Sequence, residues 1–309
     1  MNNILVTGCT GFIGRAVISS LQINNKVNRV IASVRDQTDL LPEGVQQVQC
    51  GDLSTSFDWH AVLSRIDVVI HCAARVHIMN DSVVEPLAEY RKINTAGTLN
   101  LARQSAEAGV KRFIFISSVK VNGETNKLGE SFKPEDNFVP DDPYGLSKYE
   151  TEQGLLVLAE ETGLEVVIIR PPLVYGPYVK GNFSSMINWV NRGVPLPFGA
   201  IHNKRSLVAL DNLVGFIVHC IEHPKAANEV FLISDGEDVS TTELLQKVAK
   251  AFGKQSLLVP VPTWLMAFVA TLIGKENMTN KLFNSLQVDN SKACDLLGWK
   301  PVITMDEQL

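Results

Sequence analysis

Tyr144 and Lys148 stand four residues apart in the run Tyr144-Gly145-Leu146-Ser147-Lys148. On a helix that spacing puts both side chains on one face, where they can act on one ligand. A free tyrosine, with a pKa of about 10, is a poor base at neutral pH. A lysine ammonium beside it favours the phenolate, so the pair can move a proton to or from an alcohol or ketone oxygen. Ser118, the second of the pair Ser117-Ser118, adds a hydroxyl able to hold a substrate oxygen. Each feature alone is commonplace: many helices carry Tyr-x-x-x-Lys, and many strands end in serine.

A second group of residues suits an anion. Gly8-Cys9-Thr10-Gly11-Phe12-Ile13-Gly14 follows the apolar run Ile4-Leu5-Val6 and opens a helix-like stretch. Glycines allow a tight turn and let the backbone approach a pyrophosphate. A helix that begins there aims free N–H groups and its positive dipole end at the anion. The spacing is GxxGxxG, not the GxGxxG of many other dinucleotide-binding turns, and it gains force from the serine pair and Tyr144-x-x-x-Lys148 further along.

These side chains need elements to hold them. Runs rich in valine and isoleucine, mostly without polar alternation, predict buried parallel strands at 4–7, 29–33, 45–49, 68–71, 112–117 and 166–170. Helical patterns at 15–22, 59–65, 89–108 and 144–162 fall between them. Such alternation implies βαβ units and an α/β fold with a doubly wound parallel sheet. After Arg170-Pro171-Pro172 the texture changes, and proline, glycine and aromatic residues thicken through 177–199 around one helix at 183–191. A strand at 206–210, a helix at 212–222 and a strand at 230–233 follow, and the rest is mainly helical. The expected division joins 1–170 to 206–234 as the dinucleotide-binding domain. It leaves 171–205 and 235–309 as a smaller, mostly helical substrate-binding domain.

Composition narrows the function classes. The 309 residues are 45% hydrophobic and 20% charged, ordinary for a globular chain with length for a large core. The net charge of -5 comes with no basic run, so nucleic acid is not an expected partner. Cys9, Cys50, Cys72, Cys220 and Cys294 are scattered and form no CxxC pair. Reduced thiols, a cytoplasmic location and no metal site are expected from that pattern. The sequence opens directly on a strand, without a basic segment and apolar run, so no signal peptide is expected. The most apolar stretch, 264–273, falls short of the ~20 residues a membrane span needs and is expected to pack as a buried or surface helix.

Taken in order, the strand with its glycine turn, Asp52 after a strand, His71-Cys72-Ala73-Ala74, Asn94, Ser118 and Tyr144-x-x-x-Lys148 resemble the extended short-chain dehydrogenase/reductases. Within them, the set is similar to the branch of nucleotide-sugar epimerases, dehydratases and reductases. The resemblance covers almost the whole chain and implies a Rossmann-type sheet, a nicotinamide cofactor and a nucleotide-sugar substrate. It implies that Gly8, Gly11 and Gly14, with Phe12 and Ile13, form the cofactor phosphate turn. Asp52 with Leu53 would meet the adenine, and Ala73 and Ala74 would line the cofactor. Tyr144, Lys148 and Ser118 would be catalytic, with Lys148 also holding the nicotinamide ribose. Ser118 is preferred to Ser117 because Ser118-Val119-Lys120-Val121-Asn122-Gly123 aligns with the family's Ser-x-x-Val-Tyr-Gly. Asn122 departs from that pattern, where tyrosine is usual. Asn94 matches the asparagine that supports the active-site helix; by itself it reads equally as a polar residue with a local bond inside a helix.

The same resemblance reaches the second half. Arg170 to Pro177 resembles the Arg-Pro-x-x-Val-Tyr-Gly-Pro run that passes the nicotinamide. Arg205 matches the arginine on the sugar-nucleotide diphosphate, for which a guanidinium fork is suited. Asn182 and Phe198 fall where relatives contact the diphosphate and the uracil. His77, Met79 and Asn80 are candidates to line the sugar pocket, or a solvated loop. Family members often pair as homodimers through two helices, here 89–108 and 144–162, and usually begin a last helix where this sequence reaches Leu309.

Cofactor choice turns on the end of the second strand, where Asp or Glu suits NAD and an arginine accepts a 2′-phosphate. Ser33 and Arg35 stand there, with Asp36 next. NADP(H) is therefore the expected cofactor, with Arg35 its determinant and NAD(H) the alternative. Two reactions would use the same residues. The expected one is reduction of the C4 ketone of a UDP-4-keto-6-deoxy-N-acetylhexosamine, for surface-polysaccharide (O-antigen) sugar synthesis. It is favoured because Arg35 suits a cofactor drawn from the NADPH pool. The segments 73–79 and 119–123 also look like those of quinovosamine-forming 4-reductases. The alternative is a UDP-galactose or UDP-N-acetylhexosamine 4-epimerase that keeps its NAD. A steroid or flavonoid ketone is disfavoured by Arg205, and a binding module without turnover by the presence of both Tyr144 and Lys148.

Overall fold

Valine and isoleucine runs form the strands they predict. The computed structural model describes residues 1–53, 57–76, 85–179, 181–272 and 282–309. Seven strands, β1 (Asn2–Thr7), β2 (Val27–Val34), β3 (Gln46–Gln49), β4 (Val68–His71), β5 (Arg112–Ile116), β6 (Glu165–Arg170) and β9 (Glu229–Leu232), make one sheet. Their order is β3-β2-β1-β4-β5-β6-β9 and every pairing is parallel. The chain winds outward from β1 to β3 and then crosses to β4 on the other side of β1. The crevice of a doubly wound sheet opens at that reversal, beyond the carboxyl ends of β1 and β4, where Thr7 lies beside His71.

Helices cover both faces. Ile4, Val6, Ile70, Ile114 and Val167 join the core under α1 (Phe12–Gln22) and α7 (Leu210–Cys220). Leu5, Val69, Phe113, Phe115 and Ile168 join the core under α4 (Thr98–Glu107) and α5 (Pro143–Thr162). Alternate residues bury on opposite faces, so the strands read as unbroken apolar runs. The helix expected at 89–108 runs from α3 (Pro86–Tyr90) into α4, but a π-helical turn, Arg91–Gly97, joins the two. A 3.6-residue period does not reveal such a turn.

The segment 206–234 lays α7 over the large sheet and adds β9 to it beside β6. Its first strand, β8 (Arg205–Ala209), goes elsewhere: it is the middle of a small sheet, parallel to β7 (Leu173–Tyr175) and antiparallel to β10 (Asp238–Val239). Strands of three and two residues in a Pro- and Gly-rich stretch leave no periodic trace, which hid β8's partners. This sheet packs with α6 (Asn182–Asn191) and α8 (Thr241–Ala251) around Tyr175, Phe183, Leu207 and Leu245. Helices α9 (Thr263–Leu272), α10 (Ser291–Leu297) and α11 (Met305–Gln308) complete the described chain. Helix α9 leaves Trp264, Phe268 and Leu272 exposed, a surface helix and not a buried one. Among the described residues no helix is long and apolar enough to cross a membrane.

Two helix glycines make opposite demands. A Cβ at Gly14 in α1 would collide with the carbonyl oxygen of Gly8, whereas one at Gly215 in α7 would meet Val302 at 3.9 Å, an ordinary contact. Gly215→Ala should raise stability by about 0.5–1 kcal/mol through helix propensity. Gly14→Ala should lower it by about 1–3 kcal/mol through overpacking. Urea denaturation of both variants measures the sign of each.

Candidate active site

The glycine turn is built by close approach of backbone to backbone. Gly8 has φ of 66°, in the left-handed region that favours glycine, and its carbonyl accepts from Gly11 N at 2.9 Å. A Cβ on Gly8 would lie 2.5 Å from the Ala73 nitrogen. Gly8 thus packs the turn after β1 against the loop after β4, where Ala73 and Ala74 follow Cys72, and Gly14 packs α1 against that turn. The Ala73 N–H donates to Thr7 Oγ1 at 3.3 Å, holding the two loops together. Helix α1 starts at Phe12 with Gly11 as its N-cap, and no side chain caps it. Phe12 and Ile13 are half-buried against the core. Two glycines with no room for a side chain, Gly8 and Gly14, and a third with little, Gly11, opening on uncapped N–H groups, fit the pyrophosphate of a dinucleotide.

Helix α5 brings up the other side. Pro143 occupies its first turn, and Asp142 caps it by accepting from Gly145 N at 3.1 Å. Tyr144 is half-buried and Lys148 is buried. Lys148 Nζ donates to the Ile116 carbonyl at 2.8 Å and lies 4.4 Å from the centre of the Phe115 ring. Ser118 follows β5, and its Oγ accepts from Lys120 N at 3.2 Å. The Ser118 side chain lies near enough to the Tyr144 phenol to pull its pKa down. Asn94 lies in the π-helical turn, where its Nδ2 donates to Ser147 Oγ at 3.0 Å and to the Arg75 carbonyl at 3.1 Å. Its Oδ1 accepts from Arg75 N at 2.8 Å. Asn94 therefore ties the loop after β4 to the first turns of α5.

Electrostatics correct one expectation. Lys148 was expected to bring the Tyr144 phenol toward neutral pH. Instead the phenol is raised above its ordinary range, chiefly by burial, then by the neighbouring Asp142 carboxylate and Tyr90, with the Ser118 side chain pulling the other way. The physical reason is where the ammonium points: Lys148 is engaged with the Ile116 carbonyl and the Phe115 face. Burial pulls Lys148 itself down to about 8, against the opposing pull of Glu152 and Cys72. His71 is pulled down to about 3 by burial and then by Lys148, so it is neutral at pH 7. Its two ring nitrogens each lie 2.8 Å from a threonine hydroxyl, Thr7 and Thr98.

The remaining expected residues lie farther out. Arg35, just past β2, and Asp52, just past β3, are both exposed and form an ion pair of 3.6 Å. Leu53 packs its backbone against Gly97 of the π-helical turn. Arg205 begins β8, half-buried, and its Nη1 donates to the Asn284 carbonyl at 3.3 Å; burial lowers its pKa from the ordinary arginine value. Phe198 lies tilted against Trp189, with 6.3 Å between ring centres, and its carbonyl accepts from Thr242 Oγ1 at 2.6 Å. Asn182 opens α6, and its side chain lies outside the described residues, as do His77, Met79 and Asn80. Sequence reasoning missed Tyr90, whose ring meets that of Tyr144 edge-on at 6.0 Å. It also missed Thr7 and Thr98, which hold His71. A threonine in a strand and another in a helix carry no signal of their own.

Comparisons with known proteins agree with this layout. The model of the NAD dependent epimerase/dehydratase family matches residues 4–234. A UDP-glucose 4-epimerase of Vibrio cholerae is 50% identical over 306 residues, which cover 99% of this chain and 92% of the relative. A solved UDP-glucose 4-epimerase with UDP-glucose, from the hyperthermophile Thermotoga maritima, has a TM-score of 0.75 at 27% identity. That match covers 99% of this chain and 96% of the other. UDP-glucuronic acid 4-epimerase of Bacillus cereus in complex with NAD shares the fold, with a TM-score of 0.79 at 24% identity over 99% of this chain and 95% of the other. The half-identical relative overturns the expected C4-ketone reductase, and its tie to surface-polysaccharide synthesis falls with it. Reductase and epimerase need the same serine, tyrosine and lysine, so those residues could not separate them.

The buried histidine gives a test independent of turnover. The unfolded chain takes up a proton near pH 6.5, and His71 in the folded chain does so only near 3, so stability is lost as pH falls below 6.5. Midway through that window the loss should be about 1.4 kcal/mol per pH unit. His71→Asn should have a shallower slope by that amount, measured by urea denaturation between about pH 4 and 6.

Proposed function

The chain belongs to the NAD dependent epimerase/dehydratase family, and from that premise we propose that it is a UDP-sugar 4-epimerase acting on UDP-glucose and UDP-galactose. The observation that carries the reading is half identity to a UDP-glucose 4-epimerase along 99% of this chain. The convergence of Ser118, Tyr144 and Lys148 at the crevice supports it. The glycine turn, Ala73 and Ala74 are the residues that would hold the dinucleotide. Bound NAD supplies the reversible oxidation at C4 of the sugar and carries a positive ring charge.

The chain's own residues hold the sugar and move its proton. Tyr144 would take the proton from O4 as C4 becomes a ketone and give it back as the alcohol re-forms, with the Lys148 ammonium and the positive ring of bound NAD offsetting the burial that raises the phenol. Ser118 hydrogen-bonds the same oxygen through both changes, when charge develops on it. Lys148, largely protonated at pH 7, supplies a cation on the floor of the site. Asn94 holds the start of α5 in place. Arg205, Asn182 and Phe198, in the part formed by 171–205 and 235–309, take the nucleotide end, with Arg205 on the diphosphate. Between the two half-reactions the sugar turns to present its other face, while the nucleotide end stays held.

Cofactor selection rests on Arg35. A net reduction needs the NADPH pool, but an epimerisation returns what it takes and makes no such demand. What remains in favour of NADP is the Arg35 guanidinium beside Asp52, at the edge where a 2′-phosphate would lie.

Two measurements follow. The wild-type protein should convert UDP-glucose to UDP-galactose to equilibrium without net change in absorbance at 340 nm. Tyr144→Phe should cut kcat at least about 100-fold with cofactor affinity kept. No conversion of UDP-glucose or UDP-N-acetylglucosamine by the wild type would overturn the reading. Arg35→Ala should weaken NADP several-fold and leave NAD within two-fold, by equilibrium titration. An equal change in both would remove Arg35 as the selector.

A further inference from the structure

Asn122 stands where the family pattern carries tyrosine, and it is buried, 2% exposed. It does not face the crevice. Its Nδ2 donates to the Lys133 carbonyl at 2.7 Å, and its Oδ1 accepts from Arg170 Nη1 at 3.0 Å. The same Nη1 donates to the Pro134 carbonyl at 3.0 Å. The other arm of Arg170 grips Glu152, with Nη2 to Oε2 at 2.6 Å and Nε to both oxygens at 3.0 and 3.1 Å. Glu152 has no solvent exposure and also accepts from the Ser117 hydroxyl.

We propose that Asn122, Arg170 and Glu152 form one positioning unit that sets Ser118 against Tyr144 and Lys148. The proposal rests on the reading of those three as the reacting groups. The unit touches the Ser118 segment at both ends: Ser117 immediately precedes it, and Asn122 ends the short turn that Ser118 begins. Its third contact is α5, where Glu152 lies one turn beyond Lys148. Strand β6 contributes Arg170, so three elements that carry the site share one buried network.

Stability alone does not account for it. A buried ion pair gains little over well-packed apolar residues, because desolvating both charges costs about as much as their attraction returns. Breaking one member, in contrast, strands the other. The amide of Asn122 uses both its ends, one as acceptor and one as donor. Leucine would leave the Lys133 carbonyl and one arm of Arg170 short of a partner, and aspartate would bring a second carboxylate and no donor.

The charged and titratable groups facing Lys148 are Glu152 on its own helix, His71 at the end of β4 and Cys72 just after it, with Tyr144 one turn back and Arg170 behind Glu152. Neutralising Glu152 removes a charge that holds the ammonium protonated, so Lys148 should then titrate at lower pH than in the wild type.

The test is steady-state kinetics of Asn122→Ala, Ser117→Ala and Glu152→Gln on UDP-glucose, with a ¹³C NMR titration of Lys148 assigned through Lys148→Arg. Asn122→Ala should lower kcat roughly ten-fold and leave KM within two-fold, as expected when reacting groups shift by a fraction of an ångström. Ser117→Ala, which removes only a hydroxyl, should do the same more mildly, and it stands in if Asn122→Ala does not fold. A raised KM with unchanged kcat would mean that Asn122 serves substrate binding and would overturn the proposal. So would unchanged kcat in both folded variants. The Lys148 titration separates the two levels of inference. If the wild type epimerises nothing, the function above fails. If epimerisation stands but Glu152→Gln leaves the Lys148 titration unmoved, the positioning unit fails.

Discussion

A carboxylate with no access to water must be partnered, and the interior of this protein is arranged around one. Leaving Glu152 alone would cost several kcal/mol. Arg170 answers from β6 with a two-pronged grip, and Ser117 answers from the end of β5. These bonds fix the height of α5 over the sheet. Since Tyr144 and Lys148 lie on the same helix, two turns and one turn earlier, the ion pair also fixes where they meet the crevice. The Gly8 turn completes the frame from the other side, because its backbone can press on Ala73 only while it carries no side chain.

Much of that frame was legible in the residues. Valine and isoleucine runs without polar alternation could only be strands buried on both faces, and they proved to be so at β1, β4, β5 and β6. Tyr144 and Lys148 could be placed on one helix face by spacing. The π-helical turn at Arg91–Gly97 was not legible, since one residue's worth of extra winding hides within an otherwise good helical pattern. It matters because it presents Asn94 to Ser147 and lets the Thr151 hydroxyl donate to the Asn94 carbonyl at 3.0 Å. Strands β7 and β10 were invisible for a different reason. They are short, and what makes them strands is the partner β8, far away in sequence. The inward turn of Asn122 belongs to this class too: a residue type shows a departure from a pattern, but not the network that the departure serves.

The choice between reduction and epimerisation lay beyond the residues for a chemical reason. Both reactions move one proton at O4 and oxidise or reduce one carbon, so both need the same hydroxyls and the same cation. They differ in whether the sugar turns over before the second half-reaction. That is a property of how loosely the hexose is held compared with the nucleotide, and it is encoded in pocket shape. Arg35 tipped the expectation through the NADPH pool, but its guanidinium is largely exposed beside Asp52, and a surface arginine of this kind says nothing about the fate of a ketone.

The electrostatic pattern beneath the site follows from having one buried ammonium. Lys148 lies in a region where every unshared charge is costly, so neighbouring groups are held in their neutral forms. His71 is kept neutral between two threonine hydroxyls. Burial pushes the Cys72 thiol up to about 12, so it adds no thiolate despite the lysine's pull in the other direction. The charge that balances Lys148 comes from Glu152, which Arg170 already claims in part. Burial thus leaves Lys148 lowered to about 8, within reach of neutral pH. Its charge is therefore sensitive to small changes around it. A site built so would lose activity on the alkaline side before it loses its fold, because the ammonium is discharged while the ion pair behind it, and the packing of α5 on the sheet, remain.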